Sequence, residues 1–319
     1  MRKKSGLARR DFLRVAGMCA AGAGAGILCP SAAPAFAQSG AGGGANGSKM
    51  PRMFSGCCAY SYRKQFLANQ ITMEDFIRKA VELRVDGVDM TVYFLRSKDP
   101  AYLDGLRHLA YKNAVPFSGA ACGSSLVQGD AEKRAAAVTD AKGWLDVTDR
   151  LGASHLRVFA GKLPPGATLQ QATDWTVESL KQICDYAGQK GIVVGLEDHS
   201  GVSQNAEVCL EIMRRVDSPY AGINLDITHF IPTPAQDAYA QIAACIPYAT
   251  NTHIRDRFDD GSPIDLDRVW KMFADAGFRG YMSLEYEPGP NEQDAPENGI
   301  PRMAGVIRGL CAKYSSTGA

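Results

Sequence analysis

The chain has 319 residues, of which 45% are hydrophobic and 22% charged, and its formal net charge at pH 7 is +1. Six basic residues and one acidic residue precede residue 38, so the rest of the chain carries a net charge of −4. Because there is no basic patch, nucleic acid and anionic membrane surfaces are excluded as expected partners.

The beginning of the chain has the pattern of an export signal. The pair Arg9-Arg10 is followed by an apolar, Ala/Gly-rich stretch over residues 15–29 and by an A-x-A motif that ends at Ala37. Residues 1–37 are therefore predicted to be a twin-arginine export signal, which implies a periplasmic protein. The alternative is an uncleaved membrane anchor, although the apolar stretch is short and glycine-rich for a membrane span.

The remainder divides into three parts. Residues 38–50 are predicted to be a disordered Gly/Ala/Ser linker, residues 51–313 a single catalytic domain, and residues 314–319 a tail. Seven cysteines lie beyond residue 37. Several lie inside apolar runs, so most are predicted to be buried small hydrophobes rather than a disulfide framework.

Strand-like runs alternate with helical segments through the predicted domain. The first four runs cover residues 53–59, 87–93, 115–121 and 154–160. Between the later runs, apolar residues repeat at helical spacing, as in 180–187. This alternation predicts a parallel sheet. Eight strands in a domain of this length, with no G-x-G-x-x-G after the first, favour a closed (β/α)8 TIM barrel over an open doubly wound sheet.

Each of the last four strand-like runs ends in a residue that can bind a metal ion. These residues are Glu197, Asp226, His253 and Glu285. In a parallel barrel they converge at the carboxyl ends of the strands, where Glu197 and Glu285 are expected to face each other across the mouth. Three carboxylates and one histidine suit a divalent cation, with Mn²⁺ preferred and Mg²⁺, Co²⁺ or Zn²⁺ as alternatives. Glu287 competes with Glu285, which comes directly after the apolar run.

Other polar and aromatic residues are weaker candidates. Arg157, inside the fourth run, is expected to point into the barrel or to pair with a carboxylate. Asp89 in the second run is either a rim residue or structural, and His155 starts the fourth run at the wrong end for the site. An apolar wall for a sugar ring is one interpretation of three aromatic residues after the first two runs, with packing as the default: Tyr60, Tyr93 and Phe94.

The order Glu, Asp-x-x-His, His-x-Arg-Asp, Glu at the ends of strands five to eight resembles the xylose isomerase-like TIM barrels. More narrowly, it resembles their sugar isomerase/epimerase branch, which includes ketose 3-epimerases, hydroxypyruvate isomerase and inosose-processing enzymes. The resemblance implies that Glu197 and Glu285 are both metal ligands and the acid/base pair. It also implies that Asp226 and His253 complete the metal site.

The resemblance further implies three substrate-binding residues, His199, His229 and Arg255. Two positions depart from the ketose 3-epimerase pattern. Asp259 stands where those enzymes have an arginine, six residues after the metal histidine, and Ser203 stands where they have a glutamate, six residues after the first ligand.

The expected function is that of a divalent-metal-dependent isomerase or epimerase. It would abstract a proton next to the carbonyl of an unphosphorylated sugar or keto-sugar through a metal-bound enediolate. The same first step allows a lyase, deglycosidase or dehydratase acting on 3-keto-glycosides or inososes. A phosphodiesterase and a non-catalytic sugar-binding protein are more remote alternatives. The expected partner is a small-molecule sugar, and a homo-oligomer is left open.

Overall fold

The computed structural model describes residues 50–233, 235–288 and 295–315. The predicted export signal and nearly all of the predicted linker lie outside the described residues, and so does most of the predicted tail. Among the described residues, no helix has the length and apolar character needed to cross a membrane.

Eight parallel strands pair in chain order, and the eighth closes onto the first. The predicted (β/α)8 barrel is therefore confirmed. The strands are β1 Arg52–Cys58, β2 Gly87–Thr91, β3 Phe117–Ser125, β4 His155–Phe159, β5 Val193–Glu197, β6 Ala221–Asp226, β7 Ala249–Ile254 and β8 Arg279–Leu284.

Helices lie between the strands, and a long helix follows the last one. They are α1 Arg63–Leu67, α2 Met73–Leu83, α3 Pro100–Lys112, α4 Ala131–Leu151, α5 Leu169–Gly188, α6 Ala206–Val216, α7 Ala238–Cys245, α8 Leu266–Asp275 and α9 Pro296–Tyr314.

Local sequence explains where several helices begin and which face they bury. Asn205 caps α6, as expected from its type, because its side chain accepts a hydrogen bond from the Glu207 amide. In α8, Val269, Trp270 and Phe273 recur at helical spacing and are all fully buried in the hydrophobic core. The apolar face of each such helix packs on the barrel and supplies the main core.

The first four strands differ from their predicted bounds, β1 and β4 by one residue at each end and the other two by more. β3 begins at Phe117 rather than Val115, because the Val115 amide donates to the Ala110 carbonyl at the end of α3. β2 ends at Thr91, since residues 92–94 form a 3-10 turn. All seven cysteines of the described chain are free and buried, as predicted for most of them.

Candidate active site

The strands bring the four predicted ligands to one end of the barrel. Glu197 and Asp226 are the last residues of β5 and β6, His253 lies one residue before the end of β7, and Glu285 directly follows β8. Their exposed fractions are only 0–7%. Charged groups are rarely buried this deeply without a partner, so the neighbours of each side chain determine what the site can do.

His253 lies at the centre of the group. Its Nδ1 atom is 3.3 Å from Glu197 Oε2 and 3.6 Å from Glu285 Oε1. Ligand atoms of Glu197, Asp226 and His253 lie within 4.8 Å of one another, and so do those of Cys58, His253 and Glu285. The two glutamates therefore converge on a single imidazole nitrogen from strands β5 and β8.

The surroundings of His253 Nδ1 favour a positive charge. His253 Nδ1 has no hydrogen-bond partner among the described residues, although both carboxylates approach it. Burial would lower the pKa of His253, but Glu285, Cys58 and Glu197 raise that pKa well above its usual value. Either a proton or a metal cation at Nδ1 can supply this positive charge. An imidazole nitrogen beside buried carboxylates is a donor set that fits a divalent cation.

The two glutamates have different electrostatic surroundings. Glu197 Oε2 is 3.0 Å from Arg157 Nε, and both side chains are buried. Burial raises the pKa of Glu197, but Arg157 and His253 outweigh burial and lower that pKa below its usual value. Burial raises the pKa of Glu285, and the negative charge of Glu197 adds to it, so this pKa stays raised despite His253. Glu285 is thus the more basic of the pair.

Asp226 is enclosed by hydrogen-bond donors. Its Oδ1 accepts from the Thr228 amide and hydroxyl, and its Oδ2 lies 2.9 Å from Arg255 Nη2 and 3.2 Å from His229 Nε2. Burial raises the pKa of Asp226, but His229 and Arg255 lower it well below its usual value. The carboxylate is therefore firmly ionised, and the two predicted substrate-binding cations hold it from one side.

Asp259, which stands at the departure from the ketose 3-epimerase pattern, binds His229. Its Oδ2 is 2.7 Å from His229 Nδ1. Burial lowers the pKa of His229, but Asp226 and Asp259 raise it to about 11. At the other departure, the Ser203 hydroxyl donates to the Glu197 backbone carbonyl at 2.8 Å. The first replacement orients a site histidine, and the second fixes the loop after β5.

The third predicted substrate-binding residue, His199, lies beside this cluster. Its ring is 4.5 Å from the His229 ring and 4.7 Å from the Phe159 ring, and it is half-buried. Ligand atoms of Glu197, His199 and His229 also lie within 4.8 Å of one another. The structure therefore brings all the predicted site residues together at the carboxyl ends of β5 to β8.

The weaker candidates are also placed. Arg157 pairs with Glu197 and donates to the Tyr93 hydroxyl, and Phe94 stacks on Tyr60 and Phe66. Glu287 pairs with Arg63 and Arg255 at the surface, whereas Glu285 faces His253. The two glutamates thus have separate surroundings despite their spacing of two residues.

Sequence reasoning missed three buried polar residues near the site. Asn224 donates to Glu197 Oε2 at 3.2 Å, Asn251 contacts Asp89, and the Cys58 thiol lies 3.7 Å from Glu285 Oε1. A signal for the two asparagines was present. Each stands two residues before a strand-end ligand, and strand periodicity places residues i and i+2 on the same face.

Two curated relatives align with part of this chain. Inosose dehydratase from Erwinia tasmaniensis is 24% identical over 144 residues, which cover 36% of this chain and 48% of the relative. A putative hydroxypyruvate isomerase from Xenopus laevis is 22% identical over 182 residues, which cover 52% of this chain and 65% of the relative. The chain thus spans about half to two thirds of the length of these relatives.

Solved structures share the fold over nearly their whole length. D-allulose 3-epimerase from a Methylomonas species, in complex with D-allulose, has a TM-score of 0.64 at 18% identity, covering 83% of this chain and 98% of the epimerase. The IOLI protein, solved with a zinc atom, has a TM-score of 0.66 at 16% identity, covering 83% of this chain and 100% of that protein. At these identities the likeness establishes the fold alone.

A family model described as "Xylose isomerase-like TIM barrel" matches residues 77–308, well over half of the chain. The match covers β2 to β8 and includes every predicted ligand and substrate-binding residue. The sequence motifs, the closed barrel and this match agree, and the chain belongs to the xylose isomerase-like TIM barrel family.

Proposed function

We propose that the protein is a divalent-metal-dependent sugar isomerase or epimerase that abstracts a proton next to a carbonyl. The observation that carries the proposal is the approach of two buried glutamates, Glu197 and Glu285, to one unpartnered imidazole nitrogen of His253. A protein that only binds a sugar does not need two opposed acid/base groups beside a site that favours a cation. They are the arrangement required to remove and return a proton.

Glu197, Asp226, His253 and Glu285 would hold the cation. When bound, the ion supplies Lewis-acid polarisation of a substrate carbonyl, which acidifies the neighbouring C–H bond. Mn²⁺ is the preferred ion because carboxylates dominate the donor set. The zinc atom of the IOLI structure keeps Zn²⁺ as an alternative.

Glu285 is the general base, because its pKa is raised towards the working range while that of Glu197 is held down by Arg157. Glu197 approaches His253 from β5, and after it takes up a proton from solvent it is the group that returns a proton from the other side. Return to the same carbon from the opposite face gives epimerisation, and return to the neighbouring carbon gives isomerisation.

Substrate hydroxyls meet His199, His229 and Arg255 at the β5, β6 and β7 side of the mouth. His229 and Arg255 are occupied by Asp226, Asp259 and Glu287. Little positive charge is thus left for a phosphate group, and an unphosphorylated sugar or keto-sugar is the substrate class that fits.

Solvent-deuterium exchange tests the proposal. NMR across a panel of ketoses, inososes and 3-keto-glycosides with added Mn²⁺ is expected to show exchange at a carbon next to a carbonyl. Glu285→Gln should lower that exchange by about 100- to 10,000-fold while retaining substrate binding. Glu287→Gln is the matched control and should keep most of the exchange. Undiminished exchange in Glu285→Gln would contradict the assigned base.

Elimination is the second candidate, and similarity to an inosose dehydratase favours it. The same base would remove the proton, and a leaving group on the next carbon would depart. The exchange experiment separates the two functions. With an isomerase or epimerase, the substrate exchanges deuterium and loses neither water nor aglycone. A dehydratase releases water, and a lyase that cleaves a glycoside releases the aglycone.

A further inference from the structure

We propose that Asp89, on β2, is a positioning residue that presents His253 to the cation of the active site. The inference rests on the metal site of the proposed function and adds a residue from another part of the barrel. β8 and β1 lie between β2 and β7 in the closed sheet, so the contact between Asp89 and His253 crosses the lumen.

Asp89 is only 1% exposed, and its Oδ2 atom contacts two side chains of β7. It lies 3.3 Å from His253 Nε2 and 2.7 Å from Asn251 Nδ2. The imidazole therefore has a carboxylate behind it, at Nε2, while Nδ1 faces the two glutamates. Histidines that bind metals are commonly held in this way through the nitrogen that does not bind.

The direction of each hydrogen bond in this region follows from the carboxylates at its ends. Glu197 Oε2 can only accept, so the Asn224 amide nitrogen donates to it at 3.2 Å and leaves Asn224 Oδ1 free to accept. The Asn251 amide nitrogen donates to that oxygen at 3.1 Å and also to Asp89 Oδ2. Asp89 Oδ2 is therefore an acceptor, and an attractive contact with His253 requires a proton on Nε2.

A neutral imidazole carries one N–H group, so fixing it at Nε2 leaves the lone pair on Nδ1. That lone pair points to the place where Glu197 and Glu285 converge. A chain of side-chain contacts thus runs behind the proposed metal site and returns to it. Its members, in order, are Glu197, Asn224, Asn251, Asp89 and His253. One acidic residue on a remote strand sets both the tautomer and the ring orientation of the histidine ligand.

The neighbouring strand provides the room for this contact. Gly119 on β3 pairs in register with Asp89. A methyl group at Gly119 would lie 3.3 Å from His155 Nδ1, 3.4 Å from Asn251 Nδ2 and 3.6 Å from Asp89 Oδ1. The methyl group would be tight only against His155 and in ordinary contact with Asn251 and Asp89, so Gly119 leaves space for polar side chains in the lumen, where bulky apolar residues usually fill such barrels.

The test measures Zn²⁺ affinity of the full chain by competition with a chelator. Asp89→Ala removes the acceptor, and Asp89→Asn keeps an acceptor oxygen without the charge. Asp86→Ala is the matched control. Asp86 directly precedes β2, and its carboxylate accepts two hydrogen bonds from Ser55, at 2.8 and 2.6 Å. Heteronuclear NMR of the zinc-loaded wild type, with labelled histidine, identifies the binding nitrogen of His253.

Asp89→Ala is expected to weaken Zn²⁺ binding by about 10- to 100-fold, with a smaller loss in Asp89→Asn and none in Asp86→Ala. Zinc should lie on Nδ1, with a proton on Nε2. Wild-type affinity in folded Asp89→Ala, or an equal loss in Asp86→Ala, would overturn the role of Asp89 and leave the proposed function standing. Zinc on Nε2 of His253 would overturn the role of Asp89 even if Asp89→Ala did not fold. A wild type that binds no Zn²⁺ or Mn²⁺ would remove the proposed metal site and this inference together.

Discussion

Replacing Arg157 by Met should destabilise the metal-free protein strongly and the metal-loaded protein much less. Arg157 is 3% exposed, and its guanidinium group contacts Glu197, the Cys122 carbonyl and the Tyr93 hydroxyl. Methionine keeps much of the apolar stem but removes the charge and all five donors. Glu197 then stays buried without its arginine partner.

The magnitude follows from these contacts. Removing one partner of a buried ion pair typically costs about 3–5 kcal/mol, because the other charge is left uncompensated. His253 remains near Glu197, at 3.3 Å, so the lower end of that range, about 3 kcal/mol, is expected. A bound divalent cation would supply the missing charge at Glu197, so most of this cost should vanish when Mn²⁺ saturates the protein.

Urea unfolding with and without Mn²⁺ measures both values, since urea does not screen charges as guanidinium does. Arg215→Met is the matched control. Arg215 also pairs with two carboxylates, Asp174 and Glu211, but at the surface, and such pairs contribute about 0–1 kcal/mol. The reasoning is refuted if Arg157→Met costs no more than Arg215→Met. It is equally refuted if Mn²⁺ leaves the cost of Arg157→Met unchanged.

Two further predictions concern the ion and the export signal. The pKa of His253 is raised well above its usual value in the metal-free protein, so binding of Mn²⁺ should release about one proton per ion and weaken as the pH falls. Calorimetry at pH 7 in buffers of different ionisation enthalpy measures this, and binding without proton release would contradict it. For localisation, Arg9→Lys combined with Arg10→Lys should block export to the periplasm. Fractionation of cells checks this, and periplasmic protein from the double variant would count against a twin-arginine signal.

The barrel could be predicted because its signals are local and repeated. Each later strand is an apolar run that stops at a charged or imidazole side chain, and helical periodicity fills the intervals. The position of Glu197, Asp226, His253 and Glu285 at one end of the barrel follows from parallel strands alone. Their convergence needs no knowledge of individual contacts, because neighbouring parallel strands present their carboxyl ends together.

The contacts that orient the site residues and shift their pKa values could not be predicted in the same way. Asp89 and His253 are 164 positions apart in sequence, and their contact crosses the lumen between strands that are not neighbours. Arg157 was expected either to point into the barrel or to pair with a carboxylate, since an arginine within an apolar strand does not reveal which carboxylate it meets. Asp259 stands where the ketose 3-epimerases have an arginine, and only the fold revealed its hydrogen bond to His229.

The charges of the site support the proposal that a divalent ion binds here and that Glu285 is the base. Four buried carboxylates surround His253, from Asp89, Glu197, Asp226 and Glu285. Arg157 compensates Glu197 and Arg255 compensates Asp226, each through a direct ion pair. Asp89 and Glu285 have no such arginine pair, and in the metal-free protein the raised pKa of His253 favours a proton on the imidazole that lies near both of them. A divalent cation would replace this proton and bring one more positive charge. It then leaves Glu285, the ligand without a close arginine, as the carboxylate best able to accept a proton from substrate.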